Sequence, residues 1–142
     1  FMVIYESHGI KRSLAQQKAK ELIDRFNLNH VTENLGSELS GGERRRVEMA
    51  RTLIGNPSVV LLDEPFAGID PIAVNEIRGF ITAMKTDNIG VLITDHNVRE
   101  TLSICDRAYI ISQGSILLTG TPEEIVNNEL AQKTYLGEDF KL

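Results

Sequence analysis

Two apolar runs, SVVLLD over 58–63 and GVLIT over 90–94, are short, continuous and rich in β-branched residues. That is the pattern of strands buried in a parallel sheet. Helical spacing surrounds them. SLAQQKAKELIDRF over 13–26 sets Leu14, Leu22, Ile23 and Phe26 near one face, and Ser13 with Gln16 makes a capping-box pattern. A second helix is expected from Ser40 to about Ile54, with Val47, Ala50 and Ile54 aligned and Gly55 closing it. A third opens at Asp70-Pro71, N-cap and first helical position, and carries Val74, Ile77, Ile81 and Met84. A fourth spans Asn97 to Cys105. AYIIS (108–112) and SILLTG (115–120) flank Gln113-Gly114 as a hairpin. Thr121-Pro122-Glu123-Glu124 is a further capping box, and the closing YLGEDFKL has no clear period. The order is helix, helix, strand, helix, strand, helix, hairpin, helix, which predicts an α/β fold with a parallel sheet.

Composition narrows the partners more than the fold. The 142 residues are 42% apolar and 25% charged, enough for a domain with a real core. The net charge of −5 gives no field that favours nucleic acid or an anionic membrane. With Cys105 alone there is no intrachain disulfide and no Cys-rich metal site. His8, His30 and His96 lie far apart in sequence, and the first two read as incidental. No apolar run approaches the ~20 residues that span a bilayer, and the first ten residues lack a signal-peptide pattern.

Three stretches carry chemistry. VVLLDEP (59–65) ends an apolar strand in Asp63 and Glu64. Ligands of open α/β sheets bind beyond such strand ends, where one acid can ligate Mg²⁺ through oxygen and the next can orient a water. A turn acid is the plainer alternative. LITDH (92–96) has the same grammar, ending in Asp95 and His96, and a histidine there can donate to a phosphate or simply face solvent. In LSGGE (39–43), Ser40 caps a helix whose first turn holds Gly41 and Gly42. Such a turn offers unpaired N–H groups and the positive end of the helix dipole to an anion. Two glycines weaken a first turn by up to ~1 kcal/mol each, so packing alone explains them poorly. Arg44, Arg45 and Arg46 lie ~100° apart around that helix. Most of this run, Arg44 at least, is expected to be a solvated or subunit-facing surface, with Arg44 and Glu48 spaced as an i,i+4 pair.

Together and in this order the motifs resemble those of the ATP-binding cassette (ABC) ATPases. LSGGE looks like the family signature, VVLLDE like its Walker B segment, AGID (67–70) like its D-loop, and His96 stands in the place of the switch histidine. LSGGERRRVE, LLDEPFAGIDPIAV, GVLITDHNVRETL and YLGEDF look most like the lipopolysaccharide-export branch of Gram-negative bacteria, with branched-chain amino-acid importers as the nearest rivals. No G-x-x-x-x-G-K-[ST] occurs, and the family's adenine-stacking aromatic and glutamine loop are missing as well. The resemblance therefore implies the C-terminal part of a P-loop NTPase-like ABC ATPase fold. Residues 1–55 would belong to the helical subdomain, and 56–142 to the RecA-like core with its tail.

By that resemblance, Ser40, Gly41 and Gly42 bind the γ-phosphate of an ATP held by a partner subunit, and Asp63 holds Mg²⁺. Glu64 is the general base, His96 stabilises the γ-phosphate, and Asp70 links the two nucleotide sites. The implied assembly is a homodimer of ATPase subunits docked on transmembrane permeases, cytoplasmic and peripheral on the inner membrane, with no nucleic-acid partner. A chain with no phosphate loop of its own admits an alternative, a non-catalytic module for docking or dimerisation. Sheet edges left without neighbours would favour a dimer or swapped assembly.

Overall fold

The computed structural model describes residue 9, residues 11–137 and residue 140; the start of the chain and most of the final GEDFKL lie outside them. The chain divides into two compact units, one up to Thr94 and one from Asp95.

In the first unit, helix α1 is Arg12–Arg25 and α2 is Gly41–Thr52; strand β1 is Val59–Asp63, helix α3 Pro71–Thr86 and strand β2 Gly90–Thr94. Helix α1 starts one residue earlier than expected. Lys11 is its N-cap and makes no side-chain cap bond, so Ser13 falls inside the first turn and its capping box does not form. The buried stripe is Ala15, Ala19, Leu22 and Phe26, and Leu14 sits at its margin, 45% exposed. Phe26 stacks on Phe80 of α3 with ring centroids 4.6 Å apart, and Arg25 pairs with Asp87 at 2.7 Å.

Helix α2 ends at Thr52 and tightens into a 3-10 turn over Leu53–Gly55. The left-handed cap is Asn56 (φ 48°), not Gly55, and its N–H donates to the Leu53 carbonyl. Asparagine tolerates that region through its short polar side chain. Helix α3 begins as the sequence implies. Asp70 Oδ1 accepts from the amides of Ile72 (2.9 Å) and Ala73 (3.0 Å). Its buried stripe is Ala73, Ile77, Ile81 and Met84, with Val74 half-buried.

Strands β1 and β2 pair in parallel, from Val59 opposite Gly90 to Asp63 opposite Thr94. Burial on both faces, expected from the sequence, is not found. Val60 and Leu62 are buried, but Val59, Leu61 and Leu92 are 56%, 70% and 54% exposed. Among the described residues the sheet has two strands, α3 packs against β2, and the outward side chains stay open.

The second unit holds α4 (Val98–Leu102), β3 (Ala108–Ser112), β4 (Ser115–Gly120), α5 (Pro122–Val126) and α6 (Glu129–Ala131), followed by a π-type turn over Gln132–Leu136. Asn97 caps α4, which stops three residues short of the expected Cys105. Gln113 (φ 49°) and Gly114 (φ 74°) make the two-residue turn of an antiparallel hairpin, with an irregularity between Ile110 and Ile111. The Thr121–Glu124 capping box is present. Leu102, Ile110, Ile125 and Ala131 form the core of this unit. No helix among the described residues is long and apolar enough to cross a membrane.

Candidate functional site

The start of α2 is built as the sequence suggests. Ser40 is the N-cap, in extended backbone. Its Oγ accepts from the Glu43 amide (3.3 Å) and donates to Glu43 Oε2 (2.7 Å), which also accepts from the Ser40 amide (2.8 Å). These donors, first the Ser40 hydroxyl, then its amide and then His30, hold the Glu43 carboxyl down at about 2. The two glycines have different surroundings. A Cβ on Gly42 would lie 2.9 Å from the Ala73 Cβ, so this glycine is what lets α2 approach α3. A Cβ on Gly41 would meet only ordinary contacts, the Gly68 carbonyl at 3.5 Å and Ile69 at 3.8 Å. Packing therefore does explain Gly42, against expectation, and leaves Gly41 as the glycine whose bare backbone has no steric reason. The glycine turn at the start of α2 and the 67–70 loop are thus neighbours within one unit. Asp70, whose side chain caps α3, has its carboxyl held below the ordinary range chiefly by the Ala73 amide, with the charge of Arg46 a smaller contribution.

Asp63 and Glu64 sit at the carboxyl end of β1. The Thr94 hydroxyl at the end of β2 donates to Asp63 Oδ1. Glu64 has φ 46°. A left-handed backbone on a residue other than Gly, Asn or Asp costs ~1–2 kcal/mol and persists only when its surroundings enforce it. Here three backbone bonds do so. The Glu64 amide donates to the Thr94 carbonyl (2.7 Å), and the Glu64 carbonyl accepts from the Ala67 amide (3.2 Å) and from Arg45 Nη2 (2.9 Å). The twist turns Glu64 out of the strand direction that Asp63 follows.

The arginine run is no mere flank. Arg45 holds the Glu64 carbonyl from α2 and pairs with Glu48 at 2.9 Å, so the Glu48 partner is Arg45 at i,i+3 and not Arg44. Arg44 instead reaches back to the Leu39 carbonyl. Arg46 is buried and pairs with Glu76 of α3, while its Nε has no hydrogen-bond partner. Sequence reasoning missed Arg45, Arg46 and Glu76. For Arg46 a signal was present: Gly42, Arg46, Met49 and Leu53 make one i, i+4, i+7, i+11 stripe, and it is buried.

His96 opens the second unit. Its side chain is 72% exposed and its Nδ1 lies 3.8 Å from Asp95 Oδ1, which accepts a hydrogen bond from the Asn97 amide at 2.7 Å. The described residues contain no group of three or more His, Cys, Asp or Glu able to hold a metal ion. One carboxylate at a strand end, Asp63, with a hydroxyl beside it, suits Mg²⁺, which keeps waters and takes its other oxygens from substrate phosphates.

A capped glycine turn thus packs on the 67–70 loop, beside a parallel strand that ends in two acids. Residues 3–67 match the ABC transporter family, and residues 115–141 match the branched-chain amino acid ATP-binding cassette transporter family. The chain belongs to the ABC transporter ATP-binding proteins. Solved cassettes share its fold. An ATP-binding cassette in its ADP conformation superposes with TM-score 0.79 at 27% identity, over 91% of this chain and 52% of that one. A nucleotide-free cassette gives 0.79 at 26%, over 90% and 52%. Among curated relatives, the lipopolysaccharide export system ATP-binding protein LptB of Haemophilus influenzae is 59% identical over 127 residues, 89% of this chain and 53% of that protein. Its Escherichia coli K12 counterpart is 54% identical over the same shares. The chain spans about half the length of these relatives.

Proposed function

We propose that this chain supplies the signature and Walker B half of an ATPase subunit that powers lipopolysaccharide export. The observation that carries the reading is the 59% identity to an export ATP-binding protein across 127 residues, a span that includes the capped glycine turn and the Asp63-Glu64 strand end. The branched-chain importer match covers only β4 and the residues after it, 115–141, and none of those groups. It favours the importer reading less.

In the proposed cycle two subunits face each other. The amides of Gly41 and Gly42 and the Ser40 hydroxyl bind the γ-phosphate of an ATP held by the partner. Asp63 would hold Mg²⁺, which when bound neutralises phosphate charge. Glu64, turned aside from Asp63, accepts a hydrogen bond from the attacking water and takes its proton. His96 donates to the γ-phosphate and offsets charge that develops there. Asp70 fixes the D-loop beside the signature turn, where it bridges the two sites. The subunit would be cytoplasmic, held at the inner membrane by transmembrane permeases.

The test is Glu64→Gln in the full-length protein. Mg-ATP should still bind while turnover falls by at least ~100-fold, the scale of a general base. Turnover near the wild-type rate would refute the role given to Glu64.

A further inference from the structure

The hydrogen bonds around Ser40 extend beyond Glu43. The other carboxylate oxygen, Oε1, lies 3.0 Å from His30 Nε2. His30 sits in a 3-10 turn, Asn29–Val31, pinned by the Val31 amide to the Leu28 carbonyl at 3.1 Å and by the buried side chains of Leu28 and Val31. The imidazole is thus delivered to Glu43 by an element of fixed geometry, although its side chain is 59% exposed.

Two consequences follow for a phosphate arriving at the α2 start. A hydroxyl has one proton, and that of Ser40 is engaged by Glu43 Oε2. Glu43 also places a carboxylate in the same first turn that offers its amides to the anion, and two like charges at that range repel. The repulsion eases when a donor on the far oxygen keeps the carboxylate on the cap and offsets its charge, and His30 stands there.

We propose that His30 is a positioning residue for the nucleotide. Its Nε2–H holds Glu43 turned back on the cap and offsets its charge, so that the first-turn amides meet a phosphate oxygen against less repulsion. The inference rests on the reading above, that an ATP phosphate meets this helix start.

The experiment is steady-state Mg-ATP hydrolysis by the full-length protein and four variants: His30→Ala, His30→Gln, Glu43→Gln and the double His30→Ala/Glu43→Gln. A hydrogen bond to a charged group is worth ~5-fold or more in an equilibrium. His30→Ala should raise KM by roughly 3–10-fold with kcat within about twofold, the mark of lost binding and not of lost chemistry. His30→Gln, which keeps a donor, should recover most of that. With Glu43→Gln the charge is gone, and His30→Ala should then move KM by less than about 1.5-fold. Exchange of the Ser40 amide, read without nucleotide, should quicken severalfold in His30→Ala. An active wild type whose KM is unchanged in His30→Ala, or rises equally with and without Glu43, overturns the inference alone. A full-length wild type that does not hydrolyse ATP overturns the ATPase reading itself.

Discussion

Gly41 and Gly42 are adjacent, and the structure gives their alanine variants opposite outcomes. In either case the added methyl favours the helix by up to ~1 kcal/mol. At Gly41 that gain stands, since the nearest atoms to a Cβ are the Gly68 carbonyl at 3.5 Å and Ile69 at 3.8 Å. At Gly42 the methyl meets the Ala73 Cβ at 2.9 Å, and Ala73 is buried on the face of α3. No flexible chain end can yield there, so the two helices must part, an overpacking cost of ~1–3 kcal/mol. Gly41→Ala should therefore be neutral to stabilising, and Gly42→Ala less stable than Gly41→Ala by that same amount. For a chain of this size the gap is roughly 2–12 °C in Tm, read by differential scanning calorimetry. Function should invert the order for Gly41. In the full-length protein, Gly41→Ala should weaken Mg-ATP binding at least ~10-fold despite its stability, because the methyl would stand where the proposed phosphate approaches the backbone. If Gly42→Ala melts as high as Gly41→Ala, the packing argument is wrong. If Gly41→Ala keeps the wild-type KM, the phosphate role of this turn is wrong.

Other outcomes follow from the same geometry. Arg46→Ala removes the partner of the half-exposed Glu76 carboxylate and the buried arginine stem and should cost about 1–3 kcal/mol in urea unfolding, with Arg46→Met costing less because it keeps the buried stem. Arg45→Ala removes a charge-assisted bond to the Glu64 carbonyl; a loss of about 1–2 kcal/mol in stability is expected, along with a fall in kcat in the full-length enzyme as the Glu64 backbone relaxes. Glu43, at about 2 against an ordinary 4.5, and Asp70, held below its ordinary 3.8, are both depressed in the fold. Their contribution is complete above the unfolded values and is lost as pH falls towards the folded ones. Tm should be flat above about pH 5 and drop below it, and Glu43→Gln should flatten that drop; an unchanged acid limb in Glu43→Gln would refute the cap electrostatics.

Local rules read from the sequence located the elements well where a cap or period was strong. Asp70-Pro71, Asn97, Thr121 with Glu124, and Gln113-Gly114 all act as their residue types dictate. They failed where tertiary context decides. Ser13 matched a capping pattern, yet the helix was already running from Arg12. The burial of Val59, Leu61 and Leu92 was read from an apolar run, but a run states only what a strand can be buried by, and no described element covers that face. Glu64 was legible as an acid at a strand end, while its φ of 46° was not, because it is imposed by Thr94, Ala67 and Arg45.

That last dependence changes what the signature helix does. Had the arginines been a solvated flank, α2 would offer a phosphate site at one end and nothing more. Arg45 instead reaches from its first turns to the carbonyl of Glu64, and Arg46 reaches to Glu76, nearly two turns past the Asp70 cap. The turn proposed to read one ATP is therefore tied, by side chains three to six residues further on, to the acid and the D-loop proposed to act on another. A displacement of α2 by a bound phosphate cannot leave the Glu64 backbone untouched, since a strained φ relaxes when any of its three restraints loosens. Coupling between the two proposed nucleotide sites would then need no long pathway: the first two turns of one helix would carry both ends of it.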